Sequence, residues 1–423
     1  MFKIPRPLTP TSRLALLAAV LCALSACTTT VESAQAEDPT PAAESTAPGK
    51  DGSTAAEELE KKPQFVLTAK TPAESVKGSP SASDYAERPE VIEFLQGVAS
   101  EKSIPLEWLV NEVALARYSP LSERYTTPRP NANKKTTAEK NFLLYERNLV
   151  NADRIERGAN FLEAHREAFE RIESETGVSR YAVAAIIGVE SIYGRNMGRF
   201  RVLDALMTLS FDYTRRAKYY RAELASFLDF CWQQQVTPVS ITGSFAGAMG
   251  LGQFMPASLR AYGRDGDGDG RIDVVNSPAD GIASVANYLA AHGWVRGERP
   301  LYRVEASSEI FKATGSGGIN THTTAGALYA AGVKPLEDNP LRPEEPALLV
   351  DLPWVKSNNA KGVDYYIGTG SFAAILRYNR SYFYAAAVSL LAEELEAADR
   401  RQAAKAAGSG EKKDLPEPSA QKR

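Results

Sequence analysis

A chain of 423 residues, 43% hydrophobic and 24% charged, has the composition of a globular protein with one large or two to three small domains. Its formal net charge of -3 lacks the basic character of a nucleic-acid-binding protein, so no nucleic-acid partner is expected. The three histidines, His165, His292 and His322, are scattered without metal-ligand spacing and read as structural.

At the N-terminus, Lys3, Arg6 and Arg13 precede the apolar run Leu14–Ala26. A charged start followed by a short apolar run predicts a secretory signal over residues 1–26, too short for a spanning helix. The run ends in "LSAC", which resembles the bacterial lipobox, so Cys27 is the expected lipidation site; an ordinary signal with a chance cysteine is the alternative. Acyl chains on Cys27 would anchor the protein to a bilayer at roughly 0.8 kcal/mol per buried methylene. Thr28, in place of an Asp, favours the outer membrane of a Gram-negative bacterium, facing the periplasm. Cys22 leaves with the signal, so only Cys231 remains, no internal disulfide can form, and Cys231 is expected to be a buried small hydrophobe. Residues 27–84, rich in Ala, Ser, Thr, Pro, Glu and Lys, read as a disordered tether.

Helical periodicity begins near Arg88 and predicts a helical domain over 85–180. One or two helices are expected over 138–177 with Gly177 as C-cap, and Ser179 is the candidate N-cap of the next. A core is expected over 181–295, where helices flank a glycine-rich loop, Gly243 to Gly252. Residues 296–358 gain Pro, Gly, Ser and Thr and contain "ALLVDLP", which predicts a small mixed or β-rich subdomain. A helix completing the core is expected over 359–396, and a charged disordered tail over 397–423.

Within the core, "VAAIIGVE" places Glu190 at the C-terminal end of an apolar helix. Poor hydration and the negative end of the helix dipole both raise a carboxyl pKa there, which suits a general acid. A solvated helix-end carboxylate is the ordinary alternative. "GTGSFA", Gly368 to Ala373, fits a dinucleotide fingerprint but has no βαβ surroundings, and no GxSxG elbow is present.

Five stretches occur in order: "GVESIYGRNMG", "LDALMTLSFDYTRRAKYY", "GSFAGAMGLGQFMPAS", "SVANYLAAHGW" and "RYNRSYFYA". Over roughly residues 88–392 the chain thereby resembles the membrane-bound lytic murein transglycosylase B family. The resemblance implies a mainly α fold, with a lysozyme-like core, an added helical N-terminal domain and a small mixed/β-rich insert. It implies cleavage of the β-1,4 bond between N-acetylmuramic acid and N-acetylglucosamine in peptidoglycan. No water is used; the muramyl C6 hydroxyl attacks its own C1 and closes a 1,6-anhydro ring, helped by the N-acetyl group. By resemblance Glu190 is the lone general acid, then base, whereas a hydrolase normally needs a second carboxylate. A muramidase that admits water and a non-catalytic peptidoglycan-binding lipoprotein are the rival readings.

The same resemblance implies groove positions, each with an ordinary structural alternative. Ser244 and Gln253 match polar contacts to the muramyl unit, Phe254 an apolar wall, and Asn379 a contact to the acetamido group. Tyr145, Tyr219, Tyr288, Tyr378 and Tyr384 match groove-lining tyrosines, and Arg215 or Arg216 can meet lactyl or peptide carboxylates.

In "RDGDGDGRIDVVNSPAD", Asp265, Asp267 and Asp269 fall at positions 1, 3 and 5 of an EF-hand-like loop. Gly270 stands at the sharp turn, Arg271 would offer its carbonyl, and Asp273 stands at position 9. Asn276 replaces the usual glutamate, and by resemblance Asp280, opening the next helix, takes its place. All-oxygen donors favour Ca²⁺ in a structural role, with a solvated acidic turn as the alternative. The expected partners are peptidoglycan glycan strands, a membrane through the lipid anchor, and other cell-wall enzymes.

Overall fold

The computed structural model describes residues 85–128, 140–314 and 318–410. The expected signal peptide, Cys27 and the tether lie outside them.

Three short helices open the described chain: α1 (Pro89–Lys102), α2 (Leu106–Val113) and α3 (Pro120–Thr126). Prolines sit at the first turn of α1 and α3, where the missing N–H costs nothing. The stretch expected to hold one or two helices holds three: α4 (Phe142–Leu149), α5 (Ala152–Ala164) and α6 (Arg166–Thr176). Asn151 divides the first two, because its side chain accepts from the Arg154 N–H at 3.0 Å and caps α5. Gly177, at φ 76°, closes α6 in the left-handed conformation. Helix α7 (Arg180–Ser191) follows. Ser179 precedes it without a side-chain cap; the Glu173 carboxylate takes the Arg180 N–H instead, at 3.0 Å.

Every residue of α7 from Ala182 to Val189 is buried. An all-round apolar helix belongs in the middle of a core, and α7 packs against α5, α6, α11 (Pro278–Ala291) and α15 (Tyr382–Gly410). Helices α8 (Val202–Phe211), α9 (Ala217–Gln234) and α10 (Pro256–Tyr262) complete this body, with α14 (Gly370–Tyr378) joining α11 and α15. A two-stranded ribbon, β1 (Phe200–Arg201) with β2 (Thr242–Gly243), ties the loop after α7 to the glycine-rich turn. Cys231 is fully buried in the core.

Between α11 and α14 lies an antiparallel five-stranded sheet in the order β4-β6-β7-β3-β5. Its long strands are β3 (Leu301–Glu305), β6 (Pro346–Val355) and β7 (Lys361–Gly368). Strands β4 (Thr323–Thr324) and β5 (Lys334–Pro335) are two residues each. The apolar run in β6 is explained by its two covered faces. Leu348, Val350 and Leu352 point into the main core, while Ala347 and Leu349 join a smaller core with Leu328, Leu341 and Ile367. Helices α12 (Ser308–Ala313) and α13 (Ala325–Ala330) lie in the same segment.

Two boundaries differ from expectation. The sheet runs on to Gly368, so residues 361–368 are strand rather than helix. Alternating Val363, Tyr365 and Ile367 favour a strand, and the register with β6 and β3 uses them. The last helix continues to Gly410, past the expected start of a tail at 397. Alanine-rich sequence sustains it, as do an Arg400–Glu396 pair at 2.6 Å and Asp399, which accepts from the Tyr181 hydroxyl at 2.8 Å.

Candidate active site

Glu190 stands one residue before the end of α7. The helix closes through the Ile192 N–H on the Gly188 carbonyl at 3.2 Å and the Tyr193 N–H on Ile187 at 3.4 Å. Ile192 and Tyr193 have φ of 53° and 54°, followed by Gly194 at 81°. Left-handed geometry at a β-branched residue costs on the order of 1–3 kcal/mol and persists only where surroundings enforce it. Ser191 is one enforcer: its buried hydroxyl donates to the Ile187 carbonyl at 3.0 Å and accepts from the Gly194 N–H at 3.1 Å.

The turn presents the Glu190 carboxyl to Tyr384, whose hydroxyl donates to Oε1 at 2.7 Å. Burial pushes the Glu190 carboxyl up to about 7, while the Tyr384 hydrogen bond pulls the other way. No second carboxylate among the described residues contributes to that shift. The Glu190 carboxyl is thereby poised to carry or release a proton near neutrality.

Around it, hydrogen bonds and rings join three parts of the chain. The Tyr378 hydroxyl donates to the Gly252 carbonyl at 2.5 Å, and the Tyr288 hydroxyl to the Arg377 carbonyl at 2.7 Å. Tyr288 and Tyr378 meet edge to face at 4.8 Å, and Phe254 tilts against both at 6.2 and 5.6 Å. A side chain at Gly252 would strike Tyr378 and Phe254, each 2.7 Å from its Cβ, which explains the glycine. Gln253, at φ 50°, donates its Nε2 to Gly250 at 2.9 Å and to Met197 at 3.1 Å. Ser244 folds the same turn, its hydroxyl accepting from Ala248 N at 2.9 Å and Ala246 N at 3.3 Å.

The candidate residues divide by exposure. Tyr384, Phe254 and Tyr288 are buried, so they pack and aim other groups rather than offer open faces. Ser244, Gln253, Tyr378, Asn379 and Tyr145 are partly accessible, and Tyr145 lies edge-on to Phe383 at 5.7 Å. Arg215 and Arg216 are exposed, the latter with its guanidinium 4.3 Å over the half-buried Tyr219 ring. This group is joined to the start of α10 through Glu223. That buried carboxylate neighbours Tyr219 and accepts from Ala257 N at 2.9 Å, at the start of α10. Sequence reading missed Glu223, whose amphipathic helix gives no sign of the cap it supplies. It also grouped Tyr384 with groove tyrosines, although its partner lies 194 positions away in the chain.

The acidic loop brings together three of its five candidate carboxylates. Carboxylate oxygens of Asp265, Asp267 and Asp280 lie within 4.8 Å of one another. Asp280 is 1% exposed and accepts from Gly266 N at 2.7 Å and Asp273 N at 2.6 Å. Asp269 and Asp273 turn to the loop's own backbone, Asp269 towards Arg271 N at 2.8 Å and Asp273 towards Asn276 N at 2.9 Å. Gly270 takes φ 86°, and the Arg271 side chain is exposed. Leu251 N on the Val274 carbonyl, 3.1 Å, ties the loop to the turn that carries Gln253. Three converging oxygen donors without sulfur or imidazole suit a hard cation.

A helical body with one poorly hydrated glutamic acid at the end of a buried helix is an arrangement suited to a lysozyme-like enzyme that protonates a glycosidic bond. Residues 87–393 match the transglycosylase SLT domain family. The chain is 35% identical over 308 residues to membrane-bound lytic murein transglycosylase B of Escherichia coli, covering 72% of this chain and 82% of that protein. It is similar to the X-ray structure of lytic transglycosylase SltB1 from Pseudomonas aeruginosa, with TM-score 0.67 and 37% identity over 75% of this chain and 100% of that one. It is also similar to the Escherichia coli lytic transglycosylase Slt35 in complex with calcium, with TM-score 0.63 and 34% identity over 75% and 96%. The chain belongs to the transglycosylase SLT domain family and is a lytic transglycosylase, an enzyme that breaks a glycosidic bond without water.

Proposed function

We propose that Glu190 is the acid and then the base in cleavage of the β-1,4 bond between N-acetylmuramic acid and N-acetylglucosamine of peptidoglycan. The observation that carries this reading is a single poorly hydrated carboxyl held through one oxygen by Tyr384 at 2.7 Å. Tyr384 occupies Oε1, which leaves Oε2 to hold the proton. Glu190 gives that proton to the glycosidic oxygen as the C1–O bond breaks. The carboxylate, still bonded to Tyr384, then takes the C6 hydroxyl proton as O6 closes on C1. Ser244, Gln253 and Asn379 would orient the muramyl unit, Tyr145 and Tyr378 would line the groove, and Arg215 or Arg216 would face substrate carboxylates. Product analysis on purified peptidoglycan tests the reading. Muropeptides lighter by one water than hydrolysis products, ending in the anhydro ring, are expected; reducing ends would overturn it.

The free enzyme must hold its proton to start, so kcat/KM should be level below about 7 and fall tenfold per pH unit above it. A pH–rate profile that stays level well into the alkaline range would remove Glu190 from the acid role.

Asp265, Asp267 and Asp280 would hold Ca²⁺, which would neutralise their mutual repulsion and pin the loop beside the Gln253 turn. The Slt35 complex with calcium supports this. Cys27 would carry the lipid anchor and place the enzyme at the outer membrane, facing the periplasm; the likeness to a membrane-bound Escherichia coli transglycosylase supports an anchor. No described helix is long and apolar enough to cross a membrane.

A further inference from the structure

Beneath the end of α7 lies a cation that neither the groove nor an ion pair uses. Arg154, in the first turn of α5, donates its guanidinium to the Gly188 carbonyl, two residues before Glu190. Among the described residues its Nε is enclosed without a hydrogen-bond partner, and the neighbouring Asp153 pairs instead with Arg157 at 2.7 Å. The same carbonyl takes the Ile192 N–H that closes the helix.

Beside it, the left-handed turn sends Tyr193 back under its own helix. The hydroxyl lies against Gly188, where a Cβ would stand 2.5 Å from it, and against Gly158 of α5, where a Cβ would also collide. Two glycines on facing helices thus form a slot that the ring fills, and Phe161 covers it at 5.5 Å. Among the described residues the hydroxyl is buried without a hydrogen-bond partner. A buried phenol usually finds one; the contact the structure shows here is the fit of the ring between the two glycines.

We infer that Arg154 and Tyr193 are positioning residues that fix the height and direction of the Glu190 carboxyl. The inference rests on the reading of Glu190 as proton carrier. Two physical effects support it. Carbonyls at a helix C-terminus carry partial negative charge, which opposes a carboxylate formed nearby; the guanidinium offsets it at the Gly188 carbonyl. The wedged ring prevents the turn from relaxing out of its left-handed conformation, and a displacement of about 1 Å in a reacting group can cost 100-fold in rate. Neither residue has a hydrogen bond to Glu190, so neither is a catalytic residue.

The test is steady-state kinetics on purified peptidoglycan strands with Arg154→Met, Arg154→Lys, Tyr193→Leu and Tyr193→Phe, each checked by thermal melting. Arg154→Met and Tyr193→Leu should lower kcat roughly 10- to 100-fold with KM within about twofold. Arg154→Lys should recover most of the loss, and Tyr193→Phe should match the parent. Wild-type kcat in a folded Arg154→Met or Tyr193→Leu, or a fall in Tyr193→Phe equal to that in Tyr193→Leu, overturns the inference. If Arg154→Met does not fold, Tyr193→Leu decides by the same criterion. Glu190→Gln, run alongside, keeps the two ideas apart. Turnover in that variant overturns the acid/base reading itself, whereas an inert Glu190→Gln with unaffected Arg154 and Tyr193 variants overturns only the positioning.

Discussion

Glu190→Gln should lower turnover of peptidoglycan on the order of 10⁴-fold while glycan binding stays within a few-fold. A positioned acid or base contributes about 10²–10⁴-fold, and here one residue serves both halves of the reaction. The amide is nearly isosteric, and its oxygen can still accept from Tyr384, so the surroundings of residue 190 should keep their shape. The same substitution should have an opposite effect on stability. The folded pKa of about 7 lies above the ordinary 4.5, so the folded state holds this proton more tightly than the unfolded chain. Stability is therefore favoured below the unfolded value and declines as pH rises to the folded one. Above that range the ionised carboxyl costs at most about 3 kcal/mol, less where its open side is hydrated. Gln carries no such cost. Glu190→Gln should melt several degrees higher than the parent at pH about 8, with the difference vanishing near pH about 4. Retained cleavage in a correctly folded variant would end the assignment. An equal melting temperature at both pH values would show that Glu190 is better hydrated than its surroundings imply.

What sequence could reveal follows from how local each feature is. Glu190 was legible because "VAAIIGV" states its own burial: a helix with no polar face has to sit inside. The pairing of Asp265 with Asp267 was legible because an EF-hand-like pattern is a spacing within a dozen residues, whereas Asp280, the third member of the cluster, was reached only by resemblance. Strand β7 was not, since its tyrosines and valine suit either a helix end or a strand until β3 and β6 provide partners. The long final helix was missed because charge and alanine near residue 397 read equally as tail and as solvated helix; Asp399 settles it only through Tyr181, 218 positions earlier. The roles of Tyr384, Glu223 and Arg154 all depend on partners distant in sequence. A side chain of that kind gives no local sign of whether it faces substrate or supports the residue that does.

Removing the cation proposed for the acidic loop should lower the melting temperature by about 5 °C at neutral pH. Three carboxylates within 4.8 Å repel strongly, and backbone N–H groups satisfy Asp280 only in part of its charge. A ligand that binds only the folded state stabilises it by about 2.7 kcal/mol at a concentration 100 times its dissociation constant. For a domain of this size each kcal/mol corresponds to roughly 2 °C. The loss should not be confined to stability. The loop is bonded to Leu251 through the Val274 carbonyl at 3.1 Å, and Gln253 follows two residues later at φ 50°. Loosening the loop should therefore release the turn proposed to orient the muramyl unit, raising KM more than it lowers kcat. Asp280→Asn should melt at the chelated temperature whether or not Ca²⁺ is added, because its carboxylate bridges Gly266, Asp273 and the metal position. The measurement is a melting curve on protein shown to be metal-free, with Ca²⁺ then restored. An unchanged curve on restoration would mean that the loop's own hydrogen bonds, such as Asp265 to Gly270 N at 2.8 Å, suffice to hold it, and the calcium reading would have to be given up.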